Sequence, residues 1–208
     1  MTAMGRFLTA IVDASVMDDV GRVQVMLYGS LAFTGKGHGT DRAIVLGLLG
    51  ERPDTVDPAA VYDLVRNAVE AGRFKLGGGR EIGFDAARDI AFDFGAPLPG
   101  HTNGIRAEAF NASGERLLES IYYSVGGGFV VSAEELLGFA TGAVYPNVPF
   151  GFRNAGEMLE MGRIGGKSIA EMKYDNECAL RSEPEIMTGL DRIWSAMTAC
   201  IDRGTAVE

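Results

Sequence analysis

Between Arg22 and Asp41 the chain switches its hydrophobic period, and few folds accommodate that switch. Val23, Val25 and Leu27 alternate with Gln24, Met26 and Tyr28, the pattern of a strand with one buried face. Then comes Gly35-Lys36-Gly37-His38-Gly39, with glycine at every second position, and Thr40-Asp41 open an almost wholly apolar segment at 43–49 that Gly50 stops. Glycine has no Cβ, so such a loop can turn tightly and approach a ligand closely. Thr40 or Asp41 is expected as the N-cap of the helix, whose free N–H groups then face the loop. One of the chain's two histidines thus sits beside a cation, a glycine loop and a helix start.

The flanking segments say what this unit packs into. Phe7, Leu8, Ile11, Val12 and Val16 recur at helical spacing, predicting an amphipathic helix over residues 4–14. Asp57-Pro58 reads as N-cap and first residue of a helix ending near Gly72, with Val61, Leu64, Val65, Ala68 and Val69 inward. After the connection Leu76-Gly77-Gly78-Gly79-Arg80, residues 81–84, 89–94, 104–111 and 115–124 read as strands, with Asn111-Ala112-Ser113-Gly114 a hairpin turn. The expectation is an α+β fold, a largely antiparallel sheet with helices on one face, over residues 1–150. Residues 151–208 are expected to be all helical, with Ser182 and Glu185 forming a capping box. Met158, Met161, Met172, Met187, Trp194 and Met197 are more apolar surface than those short helices can bury among themselves, so they are expected exposed.

Charge and composition exclude several functions. A net charge of -9 argues against a nucleic-acid partner, which needs a basic face. No run approaches the roughly 20 apolar residues of a membrane span, and no secretory leader is readable, so the expected location is cytoplasmic. Cys178 and Cys200 are too few and too far apart for a disulfide framework or a metal-ligand set. Gly162-Arg163-Ile164-Gly165-Gly166-Lys167-Ser168 is one residue short of a phosphate loop and follows a helix instead of a strand, so it is expected to be a helix–helix turn. Tyr122-Tyr123-Ser124-Val125-Gly126-Gly127-Gly128 has two readings: an anion-binding nest beside a hydroxyl, or a strand exit needing positive φ. His101 reads as a surface turn residue. Lys36 and His38 could be a general base with its electrostatic partner or ordinary loop residues. Composition and spacing alone give a His-containing anion-binding loop and no reaction.

Those stretches resemble the iron–sulfur-dependent L-serine dehydratases (L-serine ammonia-lyases) of the single-chain bacterial type. The matching pieces are Tyr28-Gly29-Ser30-Leu31, residues 34–41, residues 50–56, His101-Thr102-Asn103-Gly104, residues 122–129 and residues 199–204, in family order along nearly the whole chain. The resemblance implies that residues 1–150 are the family's β domain, similar to the allosteric substrate-binding domain of some phosphoglycerate dehydrogenases. Residues 151–208 would begin its helical catalytic domain. It further implies L-serine as substrate, conversion to pyruvate and ammonia, a homodimer, a 4Fe-4S cluster and no PLP. By the same resemblance His38 is the base for the α-proton and Ser124 a catalytic residue contacting substrate. Lys36, Thr40, Gly126 and Gly127 would bind the substrate, with Lys36 and Thr40 shaping the same loop as His38.

The departures carry expectations too. The family's Gly-Pro-Ser-Ser-Ser-His-Thr stretch upstream of the first helix is absent. Cys178 and Cys200 do not match the cluster cysteines, which follow the position of Asp202-Arg203-Gly204. No metal ligand is therefore expected in this chain, and alone it is expected to be inactive. The alternative is a stand-alone module binding serine or another small anion without catalysis.

Overall fold

The structure is a computed structural model and describes residues 1–140 and 147–206. Two compact units divide it, Met1–Gly142 and Ala143–Glu208.

The first unit runs α1 (Thr2–Asp13), β1 (Val20–Tyr28), α2 (Ser30–Thr34), α3 (Thr40–Leu49), α4 (Val61–Ala71), β2 (Arg73–Lys75), β3 (Glu81–Gly83), α5 (Ala86–Asp89), β4 (Ile90–Asp93), β5 (Gly104–Asn111), β6 (Arg116–Gly126), β7 (Phe129–Ser132) and α6 (Ala133–Ala140). Five strands form one sheet in the order β4-β1-β5-β6-β7, while β2 and β3 pair separately. Only the β1–β4 pairing is parallel in the large sheet; β5, β6 and β7 pair antiparallel. The fold is the expected α+β, with a largely antiparallel sheet.

The core forms where the two periodicities meet. Val23, Val25 and Leu27 of β1 and Ala107 and Ala109 of β5 point to one face. Met4, Phe7 and Ile11 of α1 and Val45 and Leu48 of α3 cover them. Fully burying Phe7 or Ile11 contributes about 1.5–3 kcal/mol each. The small alanines of β5 let the helices lie close, as does Gly47 of α3, where an added Cβ would sit 2.7 Å from Cβ of Met4. The other face is not left bare. Tyr28, Leu98, Tyr123 and Val131 are buried together there, flanked by Met26, Ile121 and Leu136. Leu136 comes from α6, so helices do not keep strictly to one side.

Several local expectations shift. The N-cap of α3 is Gly39, in the left-handed region at φ 67°, with no side-chain cap; Thr40 is already helical. Asp41 instead accepts from the Arg42 amide at 2.8 Å. Asp57 caps a turn through Ala59 N (2.9 Å), and α4 begins only at Val61. Residues 76–80 turn the small β2–β3 hairpin. The hairpin at Asn111 is as expected: its Oδ1 accepts from the Ser113 amide and hydroxyl and from the Glu115 amide.

The second unit holds α7 (Ala155–Gly165), α8 (Ile169–Cys178) and α9 (Glu183–Thr205). Capping boxes start two of them, Ser168 with Glu171 and Ser182 with Glu185. The near-miss phosphate loop is a helix–helix turn: Lys167 N donates to Gly162 O, and its ammonium meets Asp175 at 2.6 Å. Met172 departs from the expected exposure. It is buried under that turn, its methyl 3.1 Å from where a Cβ on Gly162 would lie. Met158 and Met161 are half-buried, while Met187, Trp194 and Met197 stay exposed on α9.

Candidate functional site

The pairing register gathers the singled-out stretches at one end of the sheet. Tyr28 closes β1 opposite Asp93 of β4; Gly104 opens β5 opposite Tyr123 of β6, and Ser124 follows. Gly29 then turns β1 into α2 at φ 54°, and a Cβ there would lie 2.0 Å from the Thr102 carbonyl oxygen. Only glycine lets the loop at 101–104 rest on that turn.

That loop is tied down by its own side chains. His101 Nδ1 accepts from the Asn103 amide at 3.1 Å, so the neutral ring carries its proton on Nε2. The ring stands edge-on to Tyr123, 6.4 Å between centroids, and the Tyr123 hydroxyl donates to Pro99 O. His101 is therefore a half-buried loop anchor and not the surface turn residue expected. Asn103 clips the end of β6 on two sides: the Ser124 amide donates to its carbonyl (3.0 Å), and its Nδ2 donates to Ser124 O (3.3 Å). Its Oδ1 is buried without a partner among the described residues. A buried acceptor left open costs about 1–3 kcal/mol, and such exceptions cluster at functional places. Asn103 was absent from the sequence-based site residues. The readable signal was an Asn-Gly pair immediately before a strand.

Ser124 is half-buried near the end of β6, paired with Val130 of β7. Gly126, Gly127 and Gly128 have φ of 100°, 61° and 81°. Gly126 pairs with Phe129, so Gly127-Gly128 are the two central residues of a hairpin, where a type I′ turn requires positive φ at both. The turn accounts for these glycines without a ligand, yet their backbones are exposed.

The glycine loop coils through successive short backbone bonds, His38 N to Thr34 O, Gly39 N to Lys36 O and Thr40 N to Gly35 O. Gly35 is wedged: its Cβ would lie 2.2 Å from Leu31 O and 2.9 Å from the Phe92 ring. His38 is exposed, and its ring has no hydrogen-bond partner among the described residues. Thr40 is half-buried at the first turn of α3. Lys36 turns toward β4, its ammonium 5.4 Å from the Phe92 ring centre. With strands about 4.8 Å apart, β4 and β6 lie three spacings, roughly 14 Å, from each other. Lys36 and Ser124 thus belong to the same end of the sheet at different places along it. Tyr28 lies between, its hydroxyl pushed up by burial against the opposing pull of Arg106, whose guanidinium is 5.5 Å from the ring.

This arrangement offers an imidazole, a hydroxyl and exposed glycine amides around an open sheet end. It can receive a small polar molecule and accept a proton from it. Among the described residues no group of His, Cys, Asp and Glu can hold a metal ion, and Cys178 and Cys200 are exposed. No helix among them is long and apolar enough to cross a membrane.

Residues 1–135 match the family described as serine dehydratase beta chain. The chain is 40% identical to an L-serine dehydratase of Streptomyces coelicolor, over its whole length and 46% of that protein. It is 39% identical to L-serine dehydratase 1 of Escherichia coli K12, again over its whole length and 45% of the relative. A Helicobacter pylori L-serine dehydratase is 39% identical over 91% of this chain and 41% of its own length. The chain therefore spans less than half the length of these relatives.

Proposed function

This chain belongs to the serine dehydratase beta chain family, and on that footing we propose that it is the part of an L-serine ammonia-lyase that supplies the proton-accepting loop. The reaction removes the α-proton of L-serine and expels the β-hydroxyl, giving pyruvate and ammonia. His38 takes the α-proton, since its exposed imidazole has no competing hydrogen-bond partner among the described residues and imidazole is the commonest general base. Ser124, held by the two Asn103 bonds, contacts the substrate. Gly126 and Gly127 offer amides to its carboxylate, and Thr40 shapes the histidine loop. Lys36 acts on that loop's conformation, because its amine rests over Phe92.

The observation that carries this reading is the gathering of three distant stretches, 28–41, 101–104 and 122–128, at one end of a single sheet. The family implies a 4Fe-4S cluster, which would supply a Lewis acid for the poor hydroxide leaving group. No group of His, Cys, Asp and Glu among the described residues fits it, and no step is assigned to it. The proposed setting is cytoplasmic, with residues 1–150 as β domain, residues 151–208 beginning a helical catalytic domain, and a homodimer as the assembly.

The test is pyruvate formation from L-serine. In the intact enzyme His38→Asn is expected to lower kcat by about 10²–10⁴-fold; an unchanged rate removes the base assignment. This chain alone is expected to form no pyruvate after anaerobic iron and sulfide reconstitution, and turnover there would sink the missing-cluster reading. The open Asn103 Oδ1 favours a second reading, a serine-binding module without catalysis. In that case calorimetry detects serine binding that Ser124→Ala or His38→Ala weakens, and no heat at millimolar serine counts against it.

A further inference from the structure

A second concavity lies away from Ser124 and the 101–104 loop, between α3, α4 and the β4 edge of the sheet. It measures about 570 Å³, within the usual range for small-molecule sites. Val45, Val65, Val69, Ile90 and Phe92 make its apolar wall. Lys36 and Arg42 line the same cleft. The Lys36 ammonium lies over Phe92 and the Arg42 guanidinium 5.0 Å from the Tyr62 ring centre.

Many of the chain's arginines have carboxylate partners. Arg6, Arg22, Arg66, Arg88, Arg116 and Arg163 each pair with a carboxylate. Among the described residues Lys36 and Arg42 have no ion-pair partner, although the chain carries an excess of nine negative charges. Asp41 also lines the cleft, but one of its oxygens is taken by the Arg42 amide. Gly39 makes room for the arginine: a Cβ there would lie 2.7 Å from the guanidinium. The apolar surface continues outward, with Phe94 60% and Tyr62 67% exposed. An apolar wall with two unneutralised cations along it matches a molecule that is apolar at one end and anionic at the other. Arginine's planar fork suits a carboxylate, which it can hold through two parallel bonds.

We propose that this cleft binds a small carboxylate with a branched aliphatic body, its anion held by Arg42 and Lys36 and its apolar end among Val45, Val65 and Val69. Neither His38 nor Ser124 lines the cleft, so its binding is testable apart from the lyase reading, although Lys36 is shared with the histidine loop.

The probe is 4-methylpentanoate, titrated into the ¹⁵N-labelled full chain and followed by amide resonances. Saturable shifts are expected at Arg42, Val45, Val65, Val69 and Ala91, and the uncharged 4-methylpentanamide is expected to produce none. Arg42→Gln is expected to weaken binding at least about tenfold, as loss of a charge-assisted contact does, and Lys36→Met to weaken it less. Dispersed spectra of both variants show that each still folds. Absence of saturable shifts up to about 20 mM probe, equal shifts from acid and amide, or an unchanged affinity in Arg42→Gln overturns the proposal. So does a cleft whose resonances move with protein concentration and not with probe, because that face is then covered by another copy.

Discussion

Asp89 is the sharpest place to test the energetics of the sheet, because it is a buried charge that ties Arg22 of β1 to the end of α5, one residue before β4. Its side chain is fully enclosed and accepts four bonds: Arg22 Nε at 2.7 Å and Arg88 Nε at 2.9 Å on one oxygen, and Arg88 Nη2 at 2.9 Å and the Asp85 amide at 2.8 Å on the other. Replacing it by Asn keeps the shape but removes the charge and turns one acceptor into a donor facing donors. Breaking a fully buried pair costs about 3–5 kcal/mol. Here the arginine partners are one third to one half exposed and stay hydrated, so about 2–3 kcal/mol is expected for Asp89→Asn. At roughly 2–4 °C per kcal/mol for a chain of this size, the first unit should melt about 4–12 °C lower. The pH dependence follows from the same contacts. Burial alone would push the carboxyl up, but the bonds from Arg88, the Asp85 amide and Arg22 outweigh it and hold it below its ordinary value. A depressed carboxyl stabilises the fold fully above its unfolded value, near pH 4, and this stabilisation is lost as pH falls through the folded value. Thermal melts at neutral pH and in steps below pH 4 read both effects. A loss under about 1 kcal/mol at neutral pH, or a mutant as acid-sensitive as the parent, refutes the reasoning.

Gly29→Ala should cost at least about 3 kcal/mol, since φ 54° and a 2.0 Å approach to Thr102 O leave a methyl no room; a melting temperature within about 2 °C of the parent would contradict this. Ser168→Ala removes one side of a capping box and should cost about 1 kcal/mol, seen as faster amide exchange confined to α8; unchanged exchange there would deny the cap its role. Lys167→Ala should change stability by less than about 1 kcal/mol, because its Asp175 pair is exposed, and neither form should bind ATP in a filter assay. Nucleotide binding that disappears in the mutant would revive the phosphate-loop reading. Asn103→Asp should weaken serine retention in the intact enzyme more than it weakens folding, seen as a raised KM with a melting temperature little changed; a large melting loss with unaltered KM would make Asn103 purely structural.

Short-range chemistry explains what was legible in the sequence. The alternation at Val23, Val25 and Leu27, the helical spacing of Phe7 and Ile11, the Asn111 turn and the Ser182 box are decided by residues a few positions apart. The α+β class and the reading of 162–168 as a turn followed from them. The short pieces were harder. Strands β2 and β7 and helix α2 are three to five residues long, too short for a period to emerge, and pairing with partners brought near by the fold is what orders them.

The site divides along the same line. Sequence by itself determined that His38 would sit in a glycine-rich coil and Ser124 at a strand end, because glycine spacing and β-periodicity act locally. Only the tertiary structure decided how these stretches relate. The register of β1, β5 and β6 brings them to one end of the sheet, and Lys36 turns toward β4, away from Ser124. It is also what leaves Asn103 Oδ1 buried and open and leaves Arg42 and Lys36 without carboxylates. Those features depend on residues well apart in sequence, 21 positions for Asn103 and Ser124 and further for Lys36 and Phe92, and no local pattern encodes the pairing that makes them neighbours.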